Sequence, residues 1–201
     1  MYLPDTFRLD DRASLFAHAA AYPFATVITR AEGDLAVSHL PLLVDAGRNL
    51  LRGHLARENP QLAHLAARAE ALAIFHGPHG YVSPSVYTEQ PSVPTWNYVV
   101  VHARGRSRLV DEATLRRILD DMVERFDATG WHLQGPEEFV RAKLGAIAGF
   151  EIAIEDLEGK WKISQNRSLT DQERVAAWLE RGDESSRALA SLMRSRLRNH
   201  R

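Results

Sequence analysis

Prolines and aromatic residues are concentrated between residues 76 and 102, in the segment HGPHGYVSPSVYTEQPSVPTWNYVVVH. This segment holds four of the nine prolines and three of the five tyrosines of the chain, together with Trp96, Asn97 and three histidines. A helix or a central strand loses backbone hydrogen bonds at a proline, so the sequence predicts an ordered, proline-stiffened loop. Its flat rings and hydrogen-bonding groups suit a planar ligand with a polar edge. A well-packed surface loop with ordinary buried aromatics is the alternative.

The composition limits the class of protein. The 201 residues are enough for one generous domain, or for one domain with an appendage. A net charge of −1 gives no global attraction to nucleic acid or acidic membranes. The chain has no cysteine, which excludes disulfides, thiolate nucleophiles and iron–sulfur clusters. No segment has the pattern of a signal peptide or a membrane span, so we expect a cytoplasmic protein.

Alternating apolar and polar residues predict an α+β fold built on a mostly antiparallel sheet of six or seven strands. The first three strands, FATVITR, LAVSHLPLLVD and LLRGHL, are expected to form a meander. EALAIFHG has the pattern of a buried strand, WNYVVVHARGRSRLVD of a long strand with a bulge at Gly105, and GFEIAIEDLEGKWKIS of a late strand. Closure into a small barrel would remove the exposed sheet edges.

Helices are predicted around this sheet. Apolar residues at helical spacing and capping residues indicate helices at RASLFAHAAAY, at 58–69, at DEATLRRILDDMVERFDA, at PEEFVRAKL, at TDQERVAAWLERG and after Asp183. The sequence thus predicts two parts: a barrel domain over residues 1–168, and a helical extension over residues 169–201 that packs on or beside the barrel.

Several familiar signatures are missing. The chain lacks GxGxxG, GxxxxGK[ST], GxSxG and HExxH, which argues against classical dinucleotide folds, P-loop enzymes, serine hydrolases and zincins. No pair of its nine histidines has a standard ligand spacing with a carboxylate, so no metal site is predicted. We expect His39 and His54 to hydrogen-bond to a bound polar group.

Two segments could bind an anion. In RGHLARENPQ, Arg57 and Asn59 stand at a predicted helix start, where a phosphate would find free amides and a bidentate arginine. A surface arginine beside a cap is the equally simple alternative. In EGKWKISQNR, Lys160 and Lys162 share a strand face and are followed by a dense cluster of donors that includes Gln165. A solvated strand end is the alternative there.

Seven collinear motifs then resemble one family. MYLP-x-x-F, PFATVIT, SHLPLLVD, GHLARENPQ, FHGPHGYVSPSVY, VPTWNYVVVH and GKWKISQNR are similar to the FMN-binding negative transcriptional regulators, the PaiB-like proteins. The resemblance covers nearly the whole chain up to Arg167. Val86 and Leu62 depart from it, since the family pattern often has aromatic residues at these two positions.

The resemblance implies a flavin-type split β-barrel, similar to the pyridoxamine phosphate oxidases, that forms homodimers with FMN at the subunit interface. By analogy, the isoalloxazine would lie along Thr26, Ser38, His39 and Leu40. The phosphate would be bound by His54, Arg57 and Asn59. The partner subunit would close the site with Trp96, Asn97, Lys162 and Gln165.

The sequence therefore favours a homodimeric FMN-binding regulator, and leaves two other hypotheses open. One is a flavin-dependent oxidoreductase of the same superfamily acting on a small molecule, with His39 or Tyr81 as a proton donor near the flavin. The other is direct DNA binding through Arg104, Arg106, Arg108 and the C-terminal arginines. Arginines on an edge strand also serve simply to prevent aggregation. No catalytic residue is assigned.

Overall fold

The protein is represented by a computed structural model that describes residues 1–131 and 135–199. Within these ranges it has eight strands and six helices. The strands are β1 (Arg8–Leu9), β2 (Phe24–Ala31), β3 (Asp34–Pro41), β4 (Leu43–Asp45), β5 (Leu50–Ala56), β6 (Glu70–Val82), β7 (Thr95–Leu109) and β8 (Ile147–Lys162). The helices are α1 (Arg12–Ala21), α2 (Gln61–Ala66), α3 (Glu112–Phe126), α4 (Glu137–Gly145), α5 (Leu169–Leu179) and α6 (Glu184–Asn199).

All eight strands belong to one sheet in the order β3-β2-β6-β7-β8-β5-β4, with β1 paired to β8. The pairs β2–β3, β2–β6, β4–β5 and β5–β8 are antiparallel. Two short strands, β1 and β4, account for the difference from the six or seven strands predicted.

The two antiparallel pairings predicted for the first three strands are present, but the second predicted strand is divided, so the two pairs lie at opposite ends of the sheet order. LAVSHLPLLVD is divided into β3, which ends at Pro41, and β4, which begins at Leu43. Between them Leu42 is buried and its amide donates to the carbonyl of Pro23 at 2.9 Å. As a result β3 pairs with β2, whereas β5 pairs with β4 and β8. The proline supplies the reason for the break, because it cannot donate a hydrogen bond and restricts its own φ.

The predicted proline-rich loop is shorter than expected. β6 continues through Pro78 to Val82, and β7 begins at Thr95, so only residues 83–94 lie between strands. Pairing of β6 with β2 ends at Phe75, which means that the missing amide of Pro78 takes no bond from that ladder. The remaining loop is anchored by the buried carboxylate of Asp171, which accepts from the amide and the hydroxyl of Thr88 at 2.8 and 2.9 Å.

Gly105 lies at a close approach between two strands. A Cβ at this position would lie 1.9 Å from the carbonyl oxygen of Ala153 in β8, so no larger residue fits. β7 runs through Gly105 from Thr95 to Leu109. The bulge predicted at Gly105 stays a prediction.

The six predicted helices are all present, and one differs in length. α2 has six residues, Gln61–Ala66, rather than the twelve of 58–69. The helix cannot continue through Arg68, because this residue adopts a left-handed conformation with φ of 58°. α3 buries Leu115, Ile118 and Met122, which lie at helical spacing on one face.

The chain divides into two compact units. Unit 1 comprises residues 1–11, 76–101 and 158–201, and unit 2 comprises residues 12–75 and 102–157. The core of unit 1 packs side chains from the loop after β6 against α5 and α6, including Val86, Val175, Leu179, Leu189 and Met193. Unit 2 buries apolar residues of α1, of α3 and of the strands β2 and β5. The proposed boundary at residue 168 stays a prediction.

Candidate functional site

In unit 2, the candidate flavin-ring residues lie on the paired strands β2 and β3. Thr26 is opposite His39 in the antiparallel register, and its Oγ1 lies 3.1 Å from Nδ1 of that histidine. His39 is exposed, whereas Leu40 is buried and points into the interior. Strand alternation places these neighbouring side chains on opposite faces. Thr26 and His39 are therefore accessible to a ligand on the outer face, and Leu40 supports that part of the sheet from inside.

The candidate phosphate residues lie where β5 leads into α2. The Asn59 side-chain amide donates to the Ser38 hydroxyl at 2.9 Å, and the Asn59 carboxamide oxygen accepts from the amide of Gln61 at 2.9 Å. The Arg57 Nε donates to the carbonyl of Gly145 at 2.9 Å. The two terminal nitrogens of Arg57 donate to no residue in the described ranges. The segment after β5 thus carries an oriented amide beside a hydroxyl, and a guanidinium with free terminal nitrogens held at Gly145. Phosphate groups bind to donors of these kinds.

The structure does not bring His54 into this corner by any hydrogen bond. Its side chain lines a cavity of about 580 Å³ formed with α3, α4 and the start of β8. Burial lowers the pKa of His54 below its ordinary value, because the charged form is disfavoured away from water. Its buried Nδ1 has no hydrogen-bond partner among the described residues. The phosphate role of His54 stays a prediction.

The other four candidates belong to unit 1, where β7 begins and β8 ends. The Lys162 ammonium donates to the carbonyl of Trp96 at 2.7 Å and to the hydroxyl of Thr95. Burial, and secondarily the neighbouring Lys160, lowers the pKa of Lys162. Lys162 therefore fixes the backbone beside Trp96.

Asn97 and Gln165 are used internally. Asn97 is 1% exposed and donates to the hydroxyl of Ser164 at 2.8 Å. Gln165 accepts from the amide of Ile163 at 2.8 Å and donates to the carbonyl of Trp161. These bonds shape the turn after β8, so the two side chains hold the local backbone rather than face solvent.

Trp96 is the exposed member of this group, at 53%. It lines a cavity of about 350 Å³ with Tyr81 and Trp178. The rings of Trp96 and Tyr81 meet edge to face, with centroids 6.3 Å apart, and the Trp178 indole donates to the carbonyl of Tyr81 at 3.0 Å. Exposed aromatic rings at this spacing suit a flat ligand. Trp178 was not among the predicted site residues, since its helical spacing resembles that of any core residue.

The outer face of β2 and β3 also carries apolar side chains that the sequence analysis did not single out. Phe24, Leu35 and Val37 are 65%, 63% and 54% exposed. The segment LAVSHLP places apolar residues on both faces of β3, and this two-sided pattern is the signal that indicates a covered outer face.

The arginines predicted to contact DNA are partly engaged by acids. Arg108 pairs with Glu151, and the Arg106 Nε lies 3.8 Å from Glu155. Arg201, one of the C-terminal arginines, lies outside the described residues. DNA binding through this strand stays a prediction.

Two negative observations apply to the part of the chain that the structure describes. It contains no helix of sufficient length and apolar character to cross a membrane. It also contains no group of three or more histidine, aspartate and glutamate side chains suited to a metal ion.

Comparisons with known proteins give the family of the chain. A family model described as "Putative FMN-binding domain" matches residues 1–156. The protein named protease synthase and sporulation protein PAI 2, from Bacillus subtilis, is 31% identical over 98% of this chain and 99% of its own length. An uncharacterized protein of Emericella nidulans is 29% identical over 79% of this chain and 81% of its own.

Solved structures share the fold. An FAD and heme binding protein from Mycobacterium smegmatis has a TM-score of 0.62 and 19% identity, covering 77% of this chain and 73% of that one. The flavocytochrome Anf3 from Azotobacter vinelandii has a TM-score of 0.62 and 18% identity, covering 77% and 69%. The predicted family resemblance and split-barrel class are confirmed, and FMN is the cofactor of the matching family.

Proposed function

Since the chain belongs to the family of FMN-binding domains that its residues 1–156 match, we propose that it is a homodimeric FMN-binding regulatory protein of the PaiB-like type. The flavin lies at the subunit interface in this proposal. The observation that carries it is the exposed apolar face of β2 and β3, which also carries Thr26 and His39.

The donor set fits FMN. Its phosphate needs several N–H and O–H groups, which the Asn59 and Ser38 pair and the free nitrogens of Arg57 supply. Its isoalloxazine needs a flat apolar surface with polar groups at the edge, and Thr26 and His39 provide such an edge. When bound, FMN would supply redox-active or light-absorbing chemistry, and the residues of this chain would bind and orient it.

A second subunit fits the same face. Three large apolar side chains exposed on neighbouring strands of one sheet form a patch that is typical of an interaction surface. β3 is also at the end of the sheet order, where a strand has unpaired backbone groups. In the proposed dimer, Trp96 of the second copy would cover the flavin, and Lys162 would hold the backbone of Trp96 in place.

The regulatory part of the proposal rests on the relative from Bacillus subtilis, whose name refers to protease synthase and sporulation. A cytoplasmic location is part of the same proposal. The test is to delete the gene in the source organism, to compare transcript levels, and to restore them with the wild-type gene or with a variant defective in flavin binding. Transcripts that do not change on deletion would contradict a regulatory role.

The cofactor and assembly are tested on the purified protein. We expect a flavin absorption spectrum, or quenching of FMN fluorescence on titration, and a dimer mass by light scattering. A colourless protein that neither quenches FMN nor gains thermal stability from it would contradict the proposal. A gel shift at several salt concentrations tests direct DNA contact separately, since such binding weakens steeply as salt rises.

The oxidoreductase hypothesis is distinguished by turnover. His39 is exposed on the proposed flavin face and Tyr81 is 45% exposed in the cavity beside Trp96, so both are accessible as proton donors. An enzyme would reduce its FMN with a nicotinamide or a substrate over many turnovers. A bound flavin that stays oxidised with nicotinamides favours the regulatory function.

A further inference from the structure

A polar pocket of about 210 Å³ lies in unit 2 where α3 begins, and no part of the flavin proposal uses it. Its lining contains two carboxylates, Asp111 and Glu151. It also contains four arginines from three separate parts of the chain, namely the β4–β5 turn and β5 (Arg48, Arg52), the end of β7 (Arg108) and α3 (Arg117).

The carboxylates around the pocket are already engaged. Glu151 is 2% exposed and accepts from the Arg108 guanidinium. Asp121 on α3 accepts from Nη1 of Arg52 at 2.6 Å. Asp111 caps α3 by accepting from the amide of Thr114 at 2.8 Å, and this bond, with smaller contributions from Arg117 and Arg108, lowers its pKa.

The arginine donors, in contrast, are mostly free. Arg117 makes one side-chain hydrogen bond, from Nη2 to the hydroxyl of Thr114 at 2.9 Å. Neither Arg48 nor Arg117 forms an ion pair with any carboxylate in the described ranges. Each guanidinium carries five N–H donors, so the pocket has a large excess of donors over acceptors.

This arrangement has the properties of an anion site. Like charges held around one concavity repel one another, and an anion between them removes the repulsion. Arg52 and Arg108 are fixed by Asp121 and Glu151, so two of the four guanidiniums lose little entropy on binding. Arg48 and Arg117 are exposed and able to close over a bound group.

We propose that this arginine pocket binds a compact tetrahedral oxyanion, the phosphate group of a small phosphorylated molecule or inorganic phosphate itself. Guanidinium groups bind phosphate oxygens in a bidentate manner. A cavity of about 210 Å³ has room for a phosphate or pyrophosphate group.

The pocket is separate from the proposed flavin phosphate corner. Arg52, the pocket residue of β5, is five positions before Arg57, which is about 16 Å along an extended strand, and Arg48 is farther away. The two sites can therefore be tested independently, and the failure of one leaves the other standing.

The experiment is isothermal titration calorimetry, which measures the binding of inorganic phosphate and of pyrophosphate to the full chain saturated with FMN at constant ionic strength. Arg48→Ala and Arg117→Ala each remove a free guanidinium. Arg116→Ala is the matched control, because Arg116 is the neighbour of Arg117 on α3 and pairs with Glu112 rather than lining the pocket. The Arg57→Ala variant, without FMN, separates this pocket from the flavin corner.

We expect saturable binding to the wild type, to Arg116→Ala and to Arg57→Ala, and binding weaker by about tenfold or more in Arg48→Ala and Arg117→Ala. Arg117→Lys keeps the charge but loses the planar, bidentate guanidinium, so its affinity for phosphate should lie between those of the wild type and Arg117→Ala. Absence of saturable binding by both anions, or equal binding by every variant, would overturn the proposal. The proposal would also be overturned if a short DNA duplex bound through Arg48 and Arg117 while inorganic phosphate and pyrophosphate did not bind. The surface would then be a nucleic-acid contact.

Discussion

The side-chain amide of Asn59 donates a 2.9 Å hydrogen bond to the hydroxyl of Ser38, joining the segment after β5 to β3. The other end of the same carboxamide accepts from the backbone amide of Gln61 and begins α2. One side chain thus serves both the proposed phosphate corner and the local fold. Because the two bonds use different atoms, mutations can separate them.

We predict that Ser38→Ala weakens FMN binding by about 1 kcal/mol, or about fivefold, because Asn59 loses the acceptor that orients its amide. Asn59→Asp should weaken binding by about tenfold or more, since it replaces the donor with a negative charge beside the phosphate. Both variants keep the acceptor for Gln61, so their thermal unfolding midpoints should stay close to the wild type. FMN fluorescence titration and thermal unfolding measure the two effects. Wild-type FMN affinity in both variants would place the phosphate elsewhere.

The sequence predicted local structure better than long-range pairing. The alternation in LAVSHLPLLVD correctly indicated extended chain, but the pairing of β5 with β8 depends on residues about a hundred positions away. No local pattern encodes that choice. Pro78 lies in β6 although the sequence predicts a loop there, because a proline is excluded from a central strand only where a neighbour needs its amide, and the pairing of β6 with β2 ends at Phe75.

The candidate site shows a similar division. The sequence shows a cluster of hydrogen-bond donors after β8. Composition alone does not indicate which of these donors bond to the backbone of the turn and which stay available to a ligand. In the structure, the oxygen and the nitrogen of the Gln165 carboxamide both bond to neighbouring backbone groups, and the buried Asn97 donates to Ser164. Conversely, Asn59 stands at the helix start as the sequence predicts, and its carboxamide oxygen accepts from the amide of Gln61, the first residue of α2, which is a local interaction.

A pH prediction follows from His18 on α1, which is buried and stacks on Tyr22 with ring centroids 4.8 Å apart. Burial lowers the pKa of His18 from 6.5 to about 4. Between these values the unfolded chain binds a proton that the folded chain does not, so stability falls as the pH decreases from 6.5 towards 4. The loss from this group is about 2 kcal/mol at pH 5.

Urea unfolding of the wild type and of His18→Gln, at pH 7 and at pH 5, measures this effect. The variant should be less stable at pH 7, because it loses packing, and the gap between the two proteins should narrow by about 2 kcal/mol at pH 5. A gap that does not change with pH would mean that His18 titrates normally in the folded protein.

Lys162 is predicted to act on the flavin through Trp96. Removing its ammonium in Lys162→Ala frees the carbonyl of Trp96 and the hydroxyl of Thr95, so the start of β7 loses these side-chain bonds to β8. We expect FMN affinity to fall by about fivefold, the effect of one or two charged hydrogen bonds acting indirectly. Lys160→Ala is the control, because Lys160 is on the same strand and bonds instead to the carbonyl of Tyr2. Equal losses in both variants would indicate a general charge effect.

Gly105→Ala is predicted to destabilise the fold. The new Cβ would overlap the carbonyl oxygen of Ala153, and the two strands can separate only by breaking their ladder. We expect a loss of about 3 kcal/mol or more in the free energy of unfolding, measured in urea. Gly145→Ala is the control, since nothing lies within 4 Å of its added Cβ at the end of α4, and it should be neutral or slightly stabilising. Equal stability of both variants would mean that β8 yields easily at Ala153.

Val37→Glu tests whether the outer face of β3 joins the two subunits. Val37 is 54% exposed, so the charge should not disturb the fold of one subunit. A carboxylate buried without a partner at an interface costs several kcal/mol, and the dimer should dissociate at micromolar concentration. FMN affinity should fall with it, because half of the proposed site comes from the second copy. Val93→Glu is the control, a valine that is 70% exposed in the loop between β6 and β7. Light scattering measures the assembly, and FMN titration measures the affinity. If Val37→Glu stays a dimer with unchanged FMN affinity, the interface is on another surface. If it is a monomer that binds FMN as well as the wild type, the flavin lies within one subunit.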